Sequence, residues 1–162
     1  MHYEIRGVVE EDLHYLAGHL RGADMVELTA TYGSSKTPVE ALSSSTEHSE
    51  KVSVITGSSG DPMFLFGYSA FSPRCKLIWA VGTPEIAQRA YFVPFLKASR
   101  SVLQGWFEDN PHVEYFLNLA HADNHVHLKW LQWCHAELLP AMPYGPLAEE
   151  FHPFLIRRAE YV

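Results

Sequence analysis

Apolar positions fall into short blocks whose spacing changes along the chain. Tyr3–Val9 (YEIRGVV) is a brief β-branched run and predicts a first strand. Glu10, Glu11 and Asp12 follow, then Leu13, Leu16, Ala17 and Leu20 at helical spacing, closed by Arg21. Acid first and base last is the order a helix dipole favours, so this stretch is expected to be helical. Residues 22–50 are less regular. ADMVELTATYG reads as a short helix. Thr37 before Pro38 marks another helix start, and the serines that follow read as a loop or a solvated helix end.

The centre of the chain turns to strand periodicity. Lys51–Thr56 (KVSVIT) alternates polar and apolar, GSSGD is a turn, and Met63–Phe71 (MFLFGYSAF) and Lys76–Val81 (KLIWAV) follow after short links. Such spacing predicts an antiparallel meander. GTPEIAQRA connects it to a main helix. Pro94 is poorly tolerated in a helix interior, so that helix is expected to begin near Val93. Its buried stripe would be Phe95, Leu96, Ser99, Val102, Leu103 and Trp106. Val113–Leu119 reads as a strand, and HVHLKWLQWCHAEL, capped by Asn124, as the last long helix with Leu128, Leu131 and Cys134 on one face. MPYGPLAEE reads as a loop and FHPFLIRRA as a closing strand. The order is strand, one or two helices, three strands, helix, strand, helix, strand. It predicts one three-layer α/β domain with a mixed sheet, spanning residues 1–162.

The totals exclude several classes of function. The chain has 162 residues, 47% of them hydrophobic, and a net charge of −7 without any Lys/Arg run. That balance suits one globular core and argues against nucleic-acid binding. No window of eighteen apolar residues occurs and MHYEIRGVVEEDL has no leader-like apolar run, so neither membrane spanning nor secretion is expected. Cys75 and Cys134 do not make a disulfide framework. The oligomeric state is left open.

His121–Ala136 holds four histidines and one cysteine. His121 and His125 are spaced for zinc, yet no CxxC or HExxH accompanies them, and no metal is expected. Cys134 falls on the apolar stripe and reads as an inert thiol. No GxSxG is present for a serine nucleophile.

IRGVVEEDLHYLAGHLR and the Asn124 helix start resemble the GNAT superfamily of acetyl-CoA-dependent N-acetyltransferases. KLIWAVGTPEI, LKASRSVL, NPHVEYFLNLAHADNHVHLKWLQWCHAELLP and FHPFLIRR are similar to small GNAT-like proteins of short-tailed (podovirus) bacteriophages, among them an internal virion protein. In that group His stands three residues after the Asn, an aromatic and Leu follow at six and seven, and Gly-Ala at eleven and twelve. Asn124, His127, Trp130, Leu131 and Ala136 fit, and His135 replaces the glycine.

The resemblance implies an α/β/α domain whose mostly antiparallel sheet is splayed between its fourth and fifth strands. It implies acetyl-CoA as cofactor, met by Ala80, Val81 and Gly82 at the splay, by Gln88 and Arg89 near the pyrophosphate, and by Asn124. The superfamily's phosphate loop carries glycines that VGTPEIAQRAYFVPF lacks, and the usual proton-donating tyrosine falls on Leu131. Tyr91, Tyr115 and Tyr144 are the candidate replacements. Glu27, Glu114, His121 and His127 are the candidate bases, with Glu27, Glu114 and His127 preferred. The implied acceptor is an amine on a host or virion protein. The alternative is a non-catalytic phage protein of the same fold that binds a host protein or sits in the virion. Either role would place it in the host cytoplasm during infection or in the virion interior.

Overall fold

A computed structural model describes residues 3–162. Strand β1 (Glu4–Gly7) is followed by three helices, α1 (Glu10–His19), α2 (Gly22–Tyr32) and α3 (Pro38–Glu47). The meander comes next: β2 (Lys51–Thr56), β3 (Pro62–Ser72) and β4 (Cys75–Gly82). A 3-10 turn at Pro84–Ala87 leads into α4 (Arg89–Asp109), then β5 (Tyr115–His121) and α5 (His125–Trp133). Short strands β6 (Glu137–Leu138) and β7 (Met142–Tyr144) precede β8 (Glu149–Arg157).

One mixed sheet runs β1-β2-β3-β4-β5-β8-β6, with β7 also on β8. Among the described strands, only β4 and β5 are parallel. Alternation along the strands divides the core. Val54, Leu65 and Val81 pack under Leu13, Leu16 and Leu42 of α1 and α3. Ile55, Phe64, Phe66 and Ile78 pack under Phe95, Leu103 and Trp106 of α4 and Leu131 of α5. Burial on both faces is why β3 reads as a nearly continuous apolar run. The expected three-layer α/β/α architecture is therefore the observed one.

Several elements differ from the sequence expectation for local physical reasons. Thr37 does cap α3: its Oγ1 accepts from the Glu40 N–H while Glu40 reaches back to the Thr37 N–H. Arg21 does not close α1. It stands at the N-cap of α2 and pairs forward with Asp24. Helix α4 begins at Arg89, ahead of Val93, and carries Pro94 in its interior. Proline removes one helical donor there. The first turn is held regardless, because Gln88 O accepts from both Tyr91 and Phe92 N–H, and Tyr91 is buried with its hydroxyl against Ser58.

Helix α5 ends at Trp133, five residues before the expected end. His135 adopts φ 63°, its N–H donates to Gln132 O, and Ala136 N–H donates to Leu131 O. This is a Schellman stop with histidine where glycine is usual. MPYGPLAEE is part strand: Met142–Tyr144 pairs with Phe151–Glu149, and Gly145 (φ 77°) follows, where a Cβ would lie 2.1 Å from Ala30 O.

Candidate active site

The parallel contact between β4 and β5 is short. It covers Cys75–Leu77 against Tyr115–Leu117 and then stops. Thr83 N–H donates to Met63 O, so the odd-numbered residues of β4 bond β3, and the main-chain groups of Ile78, Ala80 and Gly82 point toward β5. Three different things happen to them. Ile78 O accepts from the Asn118 side chain at 2.6 Å. Gly82 is bound on both sides by α2: its N–H donates to Asp24 Oδ2 and its C=O accepts from Arg21 N–H, each at 2.9 Å. Among the described residues, nothing hydrogen-bonds the outward N–H and C=O of Ala80. The strands are splayed, as expected, but the free edge is one residue long. Val81 faces β3 with its main chain and Leu13, Leu16 and Leu42 with its side chain.

A cavity of about 560 Å³ passes through this opening. Toward α4 and α5 its walls are apolar: Phe66, Phe95, Val102, Trp106, Leu131 and Phe154. Phe64, Phe95 and Trp130 meet there ring against ring at 4.8–5.8 Å. Toward α2 the walls include Glu27, Leu28, Tyr32, Trp79, His127 and Tyr144.

A buried polar cluster stands at the passage. Asp24 is 2% exposed. Its two oxygens accept from Arg21 Nε (2.9 Å) and Nη2 (2.8 Å), from Gly82 N–H, and from Asn124 Nδ2 (3.2 Å). Asn124, also 2% exposed, gives its second amide hydrogen to Glu27 Oε2 at 2.8 Å. An amide NH₂ has two hydrogens, and both carboxylates are thereby served. The opposite amide orientation would set Oδ1 against two carboxylates, so the network fixes it. His127 places Nδ1 3.8 Å from Glu27 Oε2. The side chains of His127 and Glu27 are 10% and 18% exposed, respectively. Asn124 Oδ1 is buried without a partner among the described residues.

Of the residues expected from sequence, Glu27, Asn124, His127, Ala80 and Val81 border the cavity or its polar cluster. Asn124 sits at the N-cap of α5, but its side chain makes no cap bond and reaches across to α2 instead. Gln88 and Arg89 stand exposed at the start of α4, outside the cavity lining. Glu114 lies at the far, closed end of β5. It is half-exposed and pairs with Arg74 at 2.8 Å. His121 is held by Glu149 (3.1 Å), by the Asp123 N–H and by the edge of Phe151. Tyr144 lines the cavity, whereas Tyr91 is committed to Ser58. Cys134 is buried and its thiol is pushed up to about 12 by desolvation, which makes it inert. Asp24 escaped the sequence reading. Its signal was Arg21 three residues earlier, the spacing of a helical ion pair.

Asp24, Glu27 and His127 bring one ligand atom each within 4.8 Å of one another. Asp24 is already neutralised by Arg21, which leaves a cation two donors and a neighbouring guanidinium. Pantetheine suits the place better: a narrow gap, one free main-chain N–H/C=O pair at Ala80, and apolar walls. The start of α4 offers helix-terminal charge and Arg89, without the close approach that glycines allow.

No protein-family model matches the chain, and no curated protein sequence matches it. Solved structures do. A chimera of the Vibrio cholerae spermidine N-acetyltransferase and hSSAT matches with a TM-score of 0.70 at 12% identity, over 99% of this chain and 98% of that one. An aminoglycoside acetyltransferase in complex with coenzyme A matches at 0.66 and 15% identity, over 98% and 96%. A GNAT-family acetyltransferase from Bacillus anthracis matches at 0.68 and 11%, over 97% and 95%. At these identities the likeness is one of fold. This chain has the GNAT fold over 97–99% of its length.

Proposed function

We propose that this chain is an N-acetyltransferase that draws on acetyl-CoA, with Glu27 and His127 handling the amine and its proton. One observation carries the reading: the gap between β4 and β5 opens onto the Asn124–Glu27–His127 cluster. Acetyl-CoA, when bound, supplies a thioester whose carbonyl carbon an amine attacks, so that a C–N bond forms as the C–S bond breaks. The chain's own groups do the rest. Ala80 offers main-chain hydrogen bonds to pantetheine, and Arg89 with the α4 N-terminus meets the diphosphate. Glu27, pinned by Asn124, holds the incoming ammonium. His127 turns Nδ1 to Glu27, which leaves Nε2 to take the amine proton. Asp24 positions this group by tying α2 to Gly82 and to Asn124. Leu131 has no proton to give, which leaves Tyr32, Tyr144 and solvent to protonate the departing sulfur.

A finer reading adds a phage origin, an acceptor amine on a host or virion protein, and a place in the infected cytoplasm or the virion. It rests on the sequence motifs within residues 76–158 alone. A second reading, a non-catalytic protein of the same fold, is favoured by the capture of Gly82 by α2 and by Leu131.

Calorimetry with coenzyme A and acetyl-CoA tests the first reading, and no heat at millimolar ligand ends it. Given binding, Glu27→Gln and His127→Ala should each lower acetyl transfer about 10²- to 10⁴-fold while cofactor affinity holds. Binding without turnover on any amine supports the non-catalytic alternative.

A further inference from the structure

We infer that the α2 side of the cavity takes a primary monoamine on an apolar, ring-sized body, and disfavours polyamines and other polycations. This rests on the amine-acylating reading of the same site.

Charge decides it. Among the described residues, Asp24 and Glu27 are the only acids that line the cavity. The guanidinium of Arg21 grips Asp24 with two bonds of 2.8–2.9 Å, so that carboxylate is spent. Glu27 has only the neutral Asn124 amide within hydrogen-bond distance and keeps its charge available to one ammonium. A second ammonium on the same ligand would find no carboxylate. It would find Lys36, which also lines the cavity, with Nζ bonded to Ser44 Oγ at 2.9 Å and 5.0 Å from the centre of the Tyr32 ring. An unpaired ammonium taken from water into such a place costs enough to reverse affinity. Most of the remaining wall is carbon, from Leu28, Tyr32, Leu42, Trp79, Leu119 and Tyr144, with Thr31, Ser44, Ser45 and His48 as its uncharged polar or imidazole members. Trp79 has already used its N–H on Ser49 Oγ (2.8 Å), so it presents carbon to a ligand. One available carboxylate, one ammonium and a wall mostly of aromatic and aliphatic carbon match an amine carried by an apolar group. They do not match spermidine or an aminoglycoside, which are named for two of the solved enzymes of this fold.

The amine could belong to a free arylalkylamine or to the first residue of a polypeptide with an apolar side chain. Both present the same chemistry to Glu27.

The test is direct binding by calorimetry without cofactor, using 2-phenylethylamine, a short peptide amide beginning with Phe, and spermidine. At least one monoamine should bind about tenfold or more tighter than spermidine, a gap of roughly 1.4 kcal/mol. The better of the two monoamines identifies the source. Glu27→Gln should cost the monoamine about tenfold and leave coenzyme A affinity in place. Leu28→Glu should raise spermidine affinity by a similar factor, and Ser45→Glu, at a half-buried polar position on the same wall, serves where the first variant does not fold. Spermidine binding as tightly as the monoamines overturns the inference. So does an absence of monoamine binding at millimolar concentration, or an amine order unmoved by the added carboxylate. Coenzyme A titrated into the same sample judges the transferase reading separately, since its failure to bind leaves the order of amine affinities intact.

Discussion

The two halves of β4 lie in one strand and meet different fates. Cys75–Leu77 is zipped to β5 by main-chain bonds, while Ile78–Gly82 has lost that partner. On the β3 side the strand stays paired from Lys76 to Gly82. The closed half owes its geometry to backbone alone and would tolerate many sequences. The open half is held apart by side chains: Asn118 takes the rung at Ile78 O, and Asp24 occupies Gly82. An unpaired strand edge inside a protein is costly unless its polar groups are met. The gap is therefore a feature that α2 and two asparagines maintain, and a ligand has only Ala80 left to engage.

Removing Asp24 should break this contrast most. Asp24→Ala leaves Arg21 without its partner and Gly82 N–H without an acceptor, and an unpaired buried charge typically costs about 3–5 kcal/mol. Urea unfolding measures it. A loss under about 1 kcal/mol would show that the open half does not depend on α2. Asn124→Ala comes next, at about 1–3 kcal/mol, because Glu27 and Asp24 both lose a buried donor. A cofactor affinity unmoved by the same change would place the cleft elsewhere. Asn118→Leu should cost about 1 kcal/mol and speed hydrogen exchange in Ile78–Val81 relative to Cys75–Leu77. Equal protection of the two segments would remove the distinction between the halves.

Arg6 and Asp12 form the same bidentate pair away from the gap, at 2.8–2.9 Å. The Arg6 guanidinium, aided by the Val9 N–H, holds the Asp12 carboxyl below its usual range. A depressed carboxyl contributes stability above its unfolded pKa of about 3.9 and loses it as pH falls through the folded value. Between about pH 5 and pH 2, Asp12→Asn should flatten the fall in melting temperature. A slope unchanged from the original chain would show that the pair adds nothing. The smallest effect is expected at Glu114, in an exposed pair with Arg74. Glu114→Gln should stay within about 0.5 kcal/mol and leave ligand binding untouched.

Local patterns carried much of the fold. KVSVIT is a strand with the expected bounds, Thr37 and Glu40 cap α3, and Phe95, Ser99, Leu103 and Trp106 form the buried stripe of α4. The errors arose where a distant contact outweighed a local preference. Tyr91 anchors a helical turn before Pro94, and His135 bears a left-handed backbone that glycine would have announced. At the site, Asn124 and His127 were legible through the family resemblance and Glu27 as one of several candidate bases, but their meeting was not. Asn124 and Glu27 are 97 positions apart. Glu114 looked equivalent to Glu27 in sequence, because both are acids on amphipathic elements.

The sequence by itself determined the order of elements, the faces they bury and the chemistry available, since these follow from periodicity and residue type over a few turns. Only the tertiary structure decided which carboxylate is free. Asp24 and Glu27 sit one helical turn apart, and Arg21 at helical spacing is the one local difference between them. Arg21 and Gly82 consume the first, and Asn124, arriving from the far end of β5, leaves the second facing the cavity. Such partners are assigned by packing, which brings together groups that no short stretch of chain contains.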